Sequence, residues 1–104
     1  MNTTRLDLCK ELFELSGLVL TEMQWYKGKP VYNAPYGWDY PAYDLGCLLR
    51  KLPRDFVLRP ITGAQWEIHY APGMSGKEKI CQADTPEDAA CMLAIELFKQ
   101  GIIE

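Results

Sequence analysis

The sequence contains one histidine, His69, and it lies two residues from a carboxylate, Glu67. Residues two apart in a strand face the same way, so Gln65, Glu67 and His69 would share one face of residues 65–70. Hydrolases and nucleases use a histidine beside a carboxylate or nucleophile for proton transfer. His69 with Glu67 therefore defines one hypothesis, a small enzyme. The solvated outer face of a sheet gives the same pattern, and we favour that interpretation over catalysis.

No metal or cofactor is expected from the residue types present. The sequence has four cysteines, Cys9, Cys47, Cys81 and Cys91. None of them has CxxC spacing and there is a single histidine, so the usual zinc patterns are missing. The acidic residues Asp84, Glu87 and Asp88 fall at the start of a predicted helix, where capping and the helix dipole explain them. We expect the cysteines to be buried, reduced thiols.

The most basic stretch of the chain lies at residues 50–59. Its cationic residues are Arg50, Lys51, Arg54 and Arg59. Contact with phosphate or nucleic acid is therefore a second hypothesis. The formal net charge of −3 argues against nucleic acid as the main partner, because phosphate neutralisation normally needs a basic face. A solvated protein surface explains the run more simply.

Aromatic residues are unusually dense between residues 25 and 43. The rings are Trp25, Tyr26, Tyr32, Tyr36, Trp38, Tyr40 and Tyr43. Tyrosine and tryptophan dominate binding patches because they combine a large area with few rotatable bonds. Trp25, Tyr26, Tyr36 and Trp38 are the predicted partner-binding residues. The alternative is that these rings wrap one end of the core.

Length and composition indicate one domain spanning residues 1–104. Hydrophobic content of 48% and charged content of 24% are typical of a soluble globular chain. No apolar run approaches the roughly 20 residues of a membrane span, and the first residues do not resemble a signal peptide. We therefore expect a cytoplasmic protein that does not bind a membrane.

The element that must organise this domain is a helix at residues 86–100. Thr85 is a suitable N-cap, Pro86 suits the first helical position, and Gly101 can end the helix in a left-handed conformation. Its apolar arc is wide enough to need cover on more than one side. Leu93 and Leu97 are expected to be buried in that arc, whereas Asp88 is placed on the opposite, polar side.

Two further helices are predicted from apolar residues at spacings of three and four. The first covers residues 4–16 and ends at Gly17. The second lies within residues 39–53, with Asp39 or Tyr40 as its cap and Pro41 in its first turn. Gly46 inside this helix suggests that another backbone or a ring packs closely there.

Alternating patterns predict an antiparallel meander of three strands at residues 56–61, 65–70 and 77–82. Pro60 restricts the first of these strands to an edge position, an end or a bulge. Residues 72–76 form the expected flexible turn before the third strand. Between the first two helices, residues 27–30 could close one weak hairpin. The predicted fold class is α+β, a three-stranded or four-stranded antiparallel sheet packed with helices, in the order α-α-β-β-β-α.

Two blocks of the sequence resemble a known family. They are YPAYDLGCLLRKLP, residues 40–53, and ADTPEDAACMLAIELFKQGII, residues 83–103. Both are similar to the phage ABA sandwich domain, a family of small, functionally uncharacterised bacteriophage and prophage proteins. The resemblance implies an α-β-α sandwich, an antiparallel sheet with helices on both faces. It implies no activity and no catalytic residue.

The function predicted from the sequence is that of a non-enzymatic accessory protein in the cytoplasm of a bacterial host. It would bind another protein, or a second copy of itself, through the aromatic surface. The small enzyme and the nucleic-acid binder stay open as alternatives. A pocket around His69 would favour the first, and basic side chains gathered on one exposed face would favour the second.

Overall fold

The computed structural model describes residues 4–17, 23–32, 40–53, 56–63, 65–71 and 78–102. Their order is α1 (Leu6–Ser16), β1 (Met23–Tyr26), β2 (Lys29–Tyr32), β3 (Tyr40–Pro41), α2 (Leu45–Lys51), β4 (Phe56–Ile61), β5 (Gln65–Tyr70), β6 (Lys79–Ala83) and α3 (Pro86–Lys99). This is an α+β fold, as predicted. None of the described helices is both long enough and apolar enough to cross a membrane.

The predicted meander is confirmed as an antiparallel sheet in the order β4-β5-β6. Ile68, Tyr70 and Cys81 on one face of this sheet are buried in the core. Helix α3 packs on β5 and β6, and it also contacts α1 and α2. Pro60 lies on the edge strand β4, opposite Trp66, which is a position that needs no backbone donor.

Helix α3 begins at Pro86, as predicted, and ends at Lys99, one residue before the predicted end. The Thr85 hydroxyl accepts a hydrogen bond from the Asp88 amide at 3.1 Å. At the other end, Gly101 has a φ of 74°, and the Ile102 amide donates to the Leu97 carbonyl at 2.9 Å. This is the bond of a Schellman turn, which satisfies a carbonyl that the helix itself cannot. Leu97 and Leu93 are fully buried, as expected.

The structure contains a second three-stranded sheet, in the order β2-β1-β3. The sequence predicted only the hairpin of this sheet. The hairpin turns at Lys27 and Gly28, whose φ values of 50° and 79° match the two-residue turn that suits the twist of antiparallel strands. Strand β3 then pairs with β1, with Gln24 opposite Pro41.

This pairing changes the start of the second helix. Tyr40 and Pro41 belong to β3 and not to the helix, so Tyr40 does not cap it. Asp39, the other predicted cap, lies outside the described residues. Helix α2 begins at Leu45, because the Asp44 side chain accepts a hydrogen bond from the Cys47 amide at 2.8 Å. The prediction of a close neighbour at Gly46 is also wrong, since a methyl group there would meet only the end of the Arg50 side chain at 3.4 Å and the Asp44 carboxylate at 3.7 Å.

The core lies where the three helices meet the larger sheet. Its largest fully buried side chains include Tyr43, Leu12, Leu48, Ile68 and Leu93. In the described part of the chain, helices cover only the face of the β4-β5-β6 sheet that carries Ile68, whereas the resemblance implied helices on both faces.

Candidate functional site

The carboxylate of Glu67 is fully engaged on the outer face of the larger sheet. Arg59 on β4 donates to Glu67 Oε2 through Nε at 2.9 Å and through Nη2 at 2.7 Å. Gln82 on β6 donates to Oε1 at 3.1 Å. The hydrogen bonds from Gln82 and Arg59 lower the pKa of Glu67. Glu67 is therefore a structural ion that joins three strands, and it is not poised as a general base.

His69 is bonded to a different carboxylate. Its Nε2 atom lies 3.1 Å from Glu78 Oε2, just before β6. The two side chains of the enzyme hypothesis share a sheet face, as predicted, but each has its own partner. Among the described residues no group of three or more histidine, cysteine or acidic side chains is arranged to hold a metal ion.

Apolar side chains flank His69 on this outer face. Val57 on β4 and Ile80 on β6 are both paired with His69 and are 60% and 55% exposed. A row of Val57, His69 and Ile80 thus runs beside the polar row of Arg59, Glu67 and Gln82. The arrangement is an open surface of mixed apolar and polar side chains, which does not enclose a small substrate.

The basic run does not act as one unit in the described residues. Arg50 and Lys51 lie in the last turn of α2, where cations are favoured by the helix dipole. Arg59 lies on β4 and is paired with Glu67 at 2.7 Å. Arg54 lies outside the described residues.

The predicted binding residue Trp25 lies partly in the core. Its ring packs against the main hydrophobic cluster and its Nε1 atom is enclosed. Tyr26, on the opposite face of β1, is half-buried, and the Lys27 ammonium lies 5.3 Å from the centre of its ring. Tyr36 and Trp38 lie outside the described residues.

Other rings of the aromatic segment divide between core and surface. Tyr43 is completely buried, and Tyr40 packs edge-on against Phe13 with ring centres 6.3 Å apart. Tyr32 is 54% exposed on the edge strand β2.

Tyr32 was not among the predicted binding residues, although the sequence held a signal for it. Lys27-Gly28 sets the hairpin register, which pairs Tyr32 with Met23 and Pro30 with Trp25. Pro30 and Tyr32 therefore continue the face of Trp25 out to the solvent. We call Trp25, Pro30 and Tyr32 the hairpin surface.

No family model, no curated protein and no solved structure matches this chain. The structure itself defines the class of the protein as an α+β domain with two antiparallel sheets. The resemblance to the phage ABA sandwich domain stays a prediction.

Proposed function

We propose that this protein is a non-catalytic binding module that contacts another protein through the hairpin surface. The observation that carries the proposal is the exposure of Tyr32, a residue that is 54% exposed beside the exposed Pro30. An accessible tyrosine that is continuous with a fixed tryptophan can bury a large area on binding at little cost in side-chain entropy.

Trp25 has a supporting part in this proposal. Because its ring packs against the core, it fixes the position of β1 and, through the register, that of Pro30 and Tyr32. Binding surfaces whose anchors are held in place before contact lose less entropy on association. Tyr26, Tyr36 and Trp38 remain proposed contributors, of which Tyr26 lies on the other face of the same hairpin.

The proposal also includes the cytoplasm of a bacterial host as the location and a phage or prophage origin. Both rest on the sequence. The two alternatives lose their main support because Glu67 and Arg59, a key residue of each, neutralise one another.

The test is affinity capture from a bacterial lysate with Tyr32→Ala. We expect the free energy of unfolding of Tyr32→Ala to lie within about 0.5 kcal/mol of the wild-type value, as is usual for substitutions at surface positions. The substitution should weaken capture of a specific protein by more than about 2 kcal/mol, the effect of an interface hot spot. Val57→Ala is the matched control, since Val57 is 60% exposed, close to the 54% of Tyr32, but lies on the other sheet. Equal loss in both variants, or no loss in Tyr32→Ala, would contradict the proposal.

A further inference from the structure

The two edges of the larger sheet are not equally protected. Strand β4 carries Pro60, which cannot donate a backbone hydrogen bond and so discourages pairing. Strand β6 pairs with β5 on one side, and no described strand pairs with its other side. It contains no proline along its five residues. Among the described residues, no strand takes up its outward N–H and C=O groups, and a further strand could pair with them.

A groove of about 410 Å³ runs beside this open edge. Helix α1 contributes Leu8 and Glu11, and helix α3 contributes Met92, Ile95 and Glu96. Residues 79–82 of β6 form the opposite wall. The groove thus combines unpaired strand backbone with an apolar wall of helix side chains, the two features that recognise an extended peptide.

The groove lining carries two carboxylates, Glu11 and Glu96, and one cation, Lys79 at the start of β6. The state of the two carboxylates indicates which charge an occupant can add. Glu11 is already paired with Lys99, whose Nζ atom lies 3.2 Å from Glu11 Oε2. Within the described ranges no ion pair engages the carboxylate of Glu96. A cationic side chain on an incoming strand would complement Glu96.

We propose that β6 accepts an extended segment of a partner protein by strand addition. Alternate side chains of that segment are apolar and face Leu8, Met92 and Ile95, and one of them is a lysine or arginine placed against Glu96. This site is separate from the hairpin surface, so either proposal can fail without the other.

A second copy of this chain fits the edge less well than a peptide does. If two β6 strands paired antiparallel about Cys81, Glu78 of each copy would lie opposite Asp84 of the other. Like charges that are directly opposite destabilise a strand pair. Each copy would also bring its own Glu96 to the junction.

The probe is an acetylated and amidated peptide of about seven residues, long enough to span a typical strand. It alternates valine and threonine, with one valine replaced by lysine. In ¹⁵N-labelled protein we expect the amides of residues 79–83 and of the groove residues on α1 and α3 to shift with a Kd of about 1 mM or tighter. The amides of β4 should not shift.

Two comparisons test the chemistry of the proposal. Two peptides, each N-methylated on one of the two sets of alternate amides, should differ in affinity for the protein. Only one set of amides faces β6 and donates hydrogen bonds to it. Glu96→Gln should weaken the lysine peptide about two- to fivefold, as expected for an exposed ion pair, and leave an all-neutral peptide unchanged. Glu14→Gln, on an exposed position of α1, is the matched control.

Three results would overturn the proposal. The first is that the β6 amides do not shift at about 1 mM peptide. The second is that both N-methylated peptides bind equally well. The third is that the β6 amide shifts change with protein concentration when no peptide is present. The last would show that a second copy occupies the edge.

Discussion

The cysteines act as small apolar side chains, and Cys9, Cys47 and Cys91 each donate a hydrogen bond to a backbone carbonyl. Cys9 donates from Sγ to the Thr4 carbonyl at 3.4 Å, and Cys47 donates to the Asp44 carbonyl at 3.2 Å. Burial raises the pKa of Cys9 and Cys91, and it raises the pKa of Cys47 to about 12. All four cysteines are free and buried, as the sequence predicted. Nucleophilic chemistry needs the thiolate, so these residues are structural.

Because the thiols are buried, the protein should lose stability at alkaline pH. Cys47 has a pKa near 9.0 when unfolded and about 12 when folded, so its contribution is complete below pH 9 and is lost as pH rises toward 12. Between pH 8 and pH 10 the loss from this thiol is about 1 kcal/mol, and the other raised thiols act in the same direction. We expect the urea midpoint to fall over this interval. Cys47→Ala should show a smaller fall, and a constant wild-type midpoint would contradict the assignment.

At the scale of the element, α2 contains a residue that weakens it without serving its packing. Gly46 is exposed in the first turn of the helix, and an added methyl group would make ordinary contacts with the end of the Arg50 side chain and with the Asp44 carboxylate. Glycine costs about 1 kcal/mol relative to alanine inside a helix. We therefore expect Gly46→Ala to raise the free energy of unfolding by about 0.5–1 kcal/mol, measured by urea denaturation.

Gly101→Ala is the contrasting variant. Its φ of 74° is one that side chains with a Cβ rarely adopt, so the same substitution should destabilise by about 1 kcal/mol. If both alanine variants moved the midpoint in the same direction, the conformational explanation would be wrong.

The N-termini of α1 and α3 are joined through Asp88. The Asp88 carboxylate accepts a hydrogen bond from the Arg5 amide at 2.8 Å, at the N-cap position of α1. Asp88 is 4% exposed, which corrects its placement on the polar side of α3. Helical periodicity could not reveal this contact, because the partner is 83 residues away in the chain.

We expect Asp88→Ala to destabilise the protein by about 1–3 kcal/mol, because it leaves a helix N-terminal amide without its charged acceptor. Asp7→Ala is the control, since Asp7 also lies near Arg5, at 3.4 Å, but its side chain is largely exposed. It should cost about 0.5 kcal/mol or less. Equal urea midpoints for the two variants would show that Asp88 stabilises the protein only through its negative charge near Arg5, and not through its hydrogen bond to the Arg5 amide.

Over the whole molecule, the sequence predicted the elements whose signals are local. Thr85, Pro86 and Gly101 define α3, and strict alternation gives β5 its observed bounds. Strand β3 is two residues long and exists because Gln24 pairs with Pro41, which no local pattern encodes. In the candidate site, too, local patterns predicted the positions of residues but not their long-range contacts. Alternation placed Glu67 and His69 on one face, but their partners Arg59, Gln82 and Glu78 depend on strand register.

Trp25 joins the small sheet to the rest of the protein. Strand β3 packs against α1, and the Trp25 ring extends from β1 into the cluster that also contains residues of all three helices. The two sheets therefore share one core, and we expect them to unfold together. Fluorescence and far-UV circular dichroism should give the same urea midpoint for the wild type, as a two-state transition requires.

Trp25→Ala should lower the free energy of unfolding by roughly 2–4 kcal/mol, somewhat less than the cost of about 3–5 kcal/mol for a fully buried ring. Tyr26→Ala, on the opposite face of the same strand, should cost less, since that ring is not part of the core cluster. If the free energy of unfolding of Trp25→Ala were within about 0.5 kcal/mol of the wild type, Trp25 would have to be a surface residue. It would then be a binding anchor in its own right, as the sequence first suggested, and Tyr32 would no longer need its support.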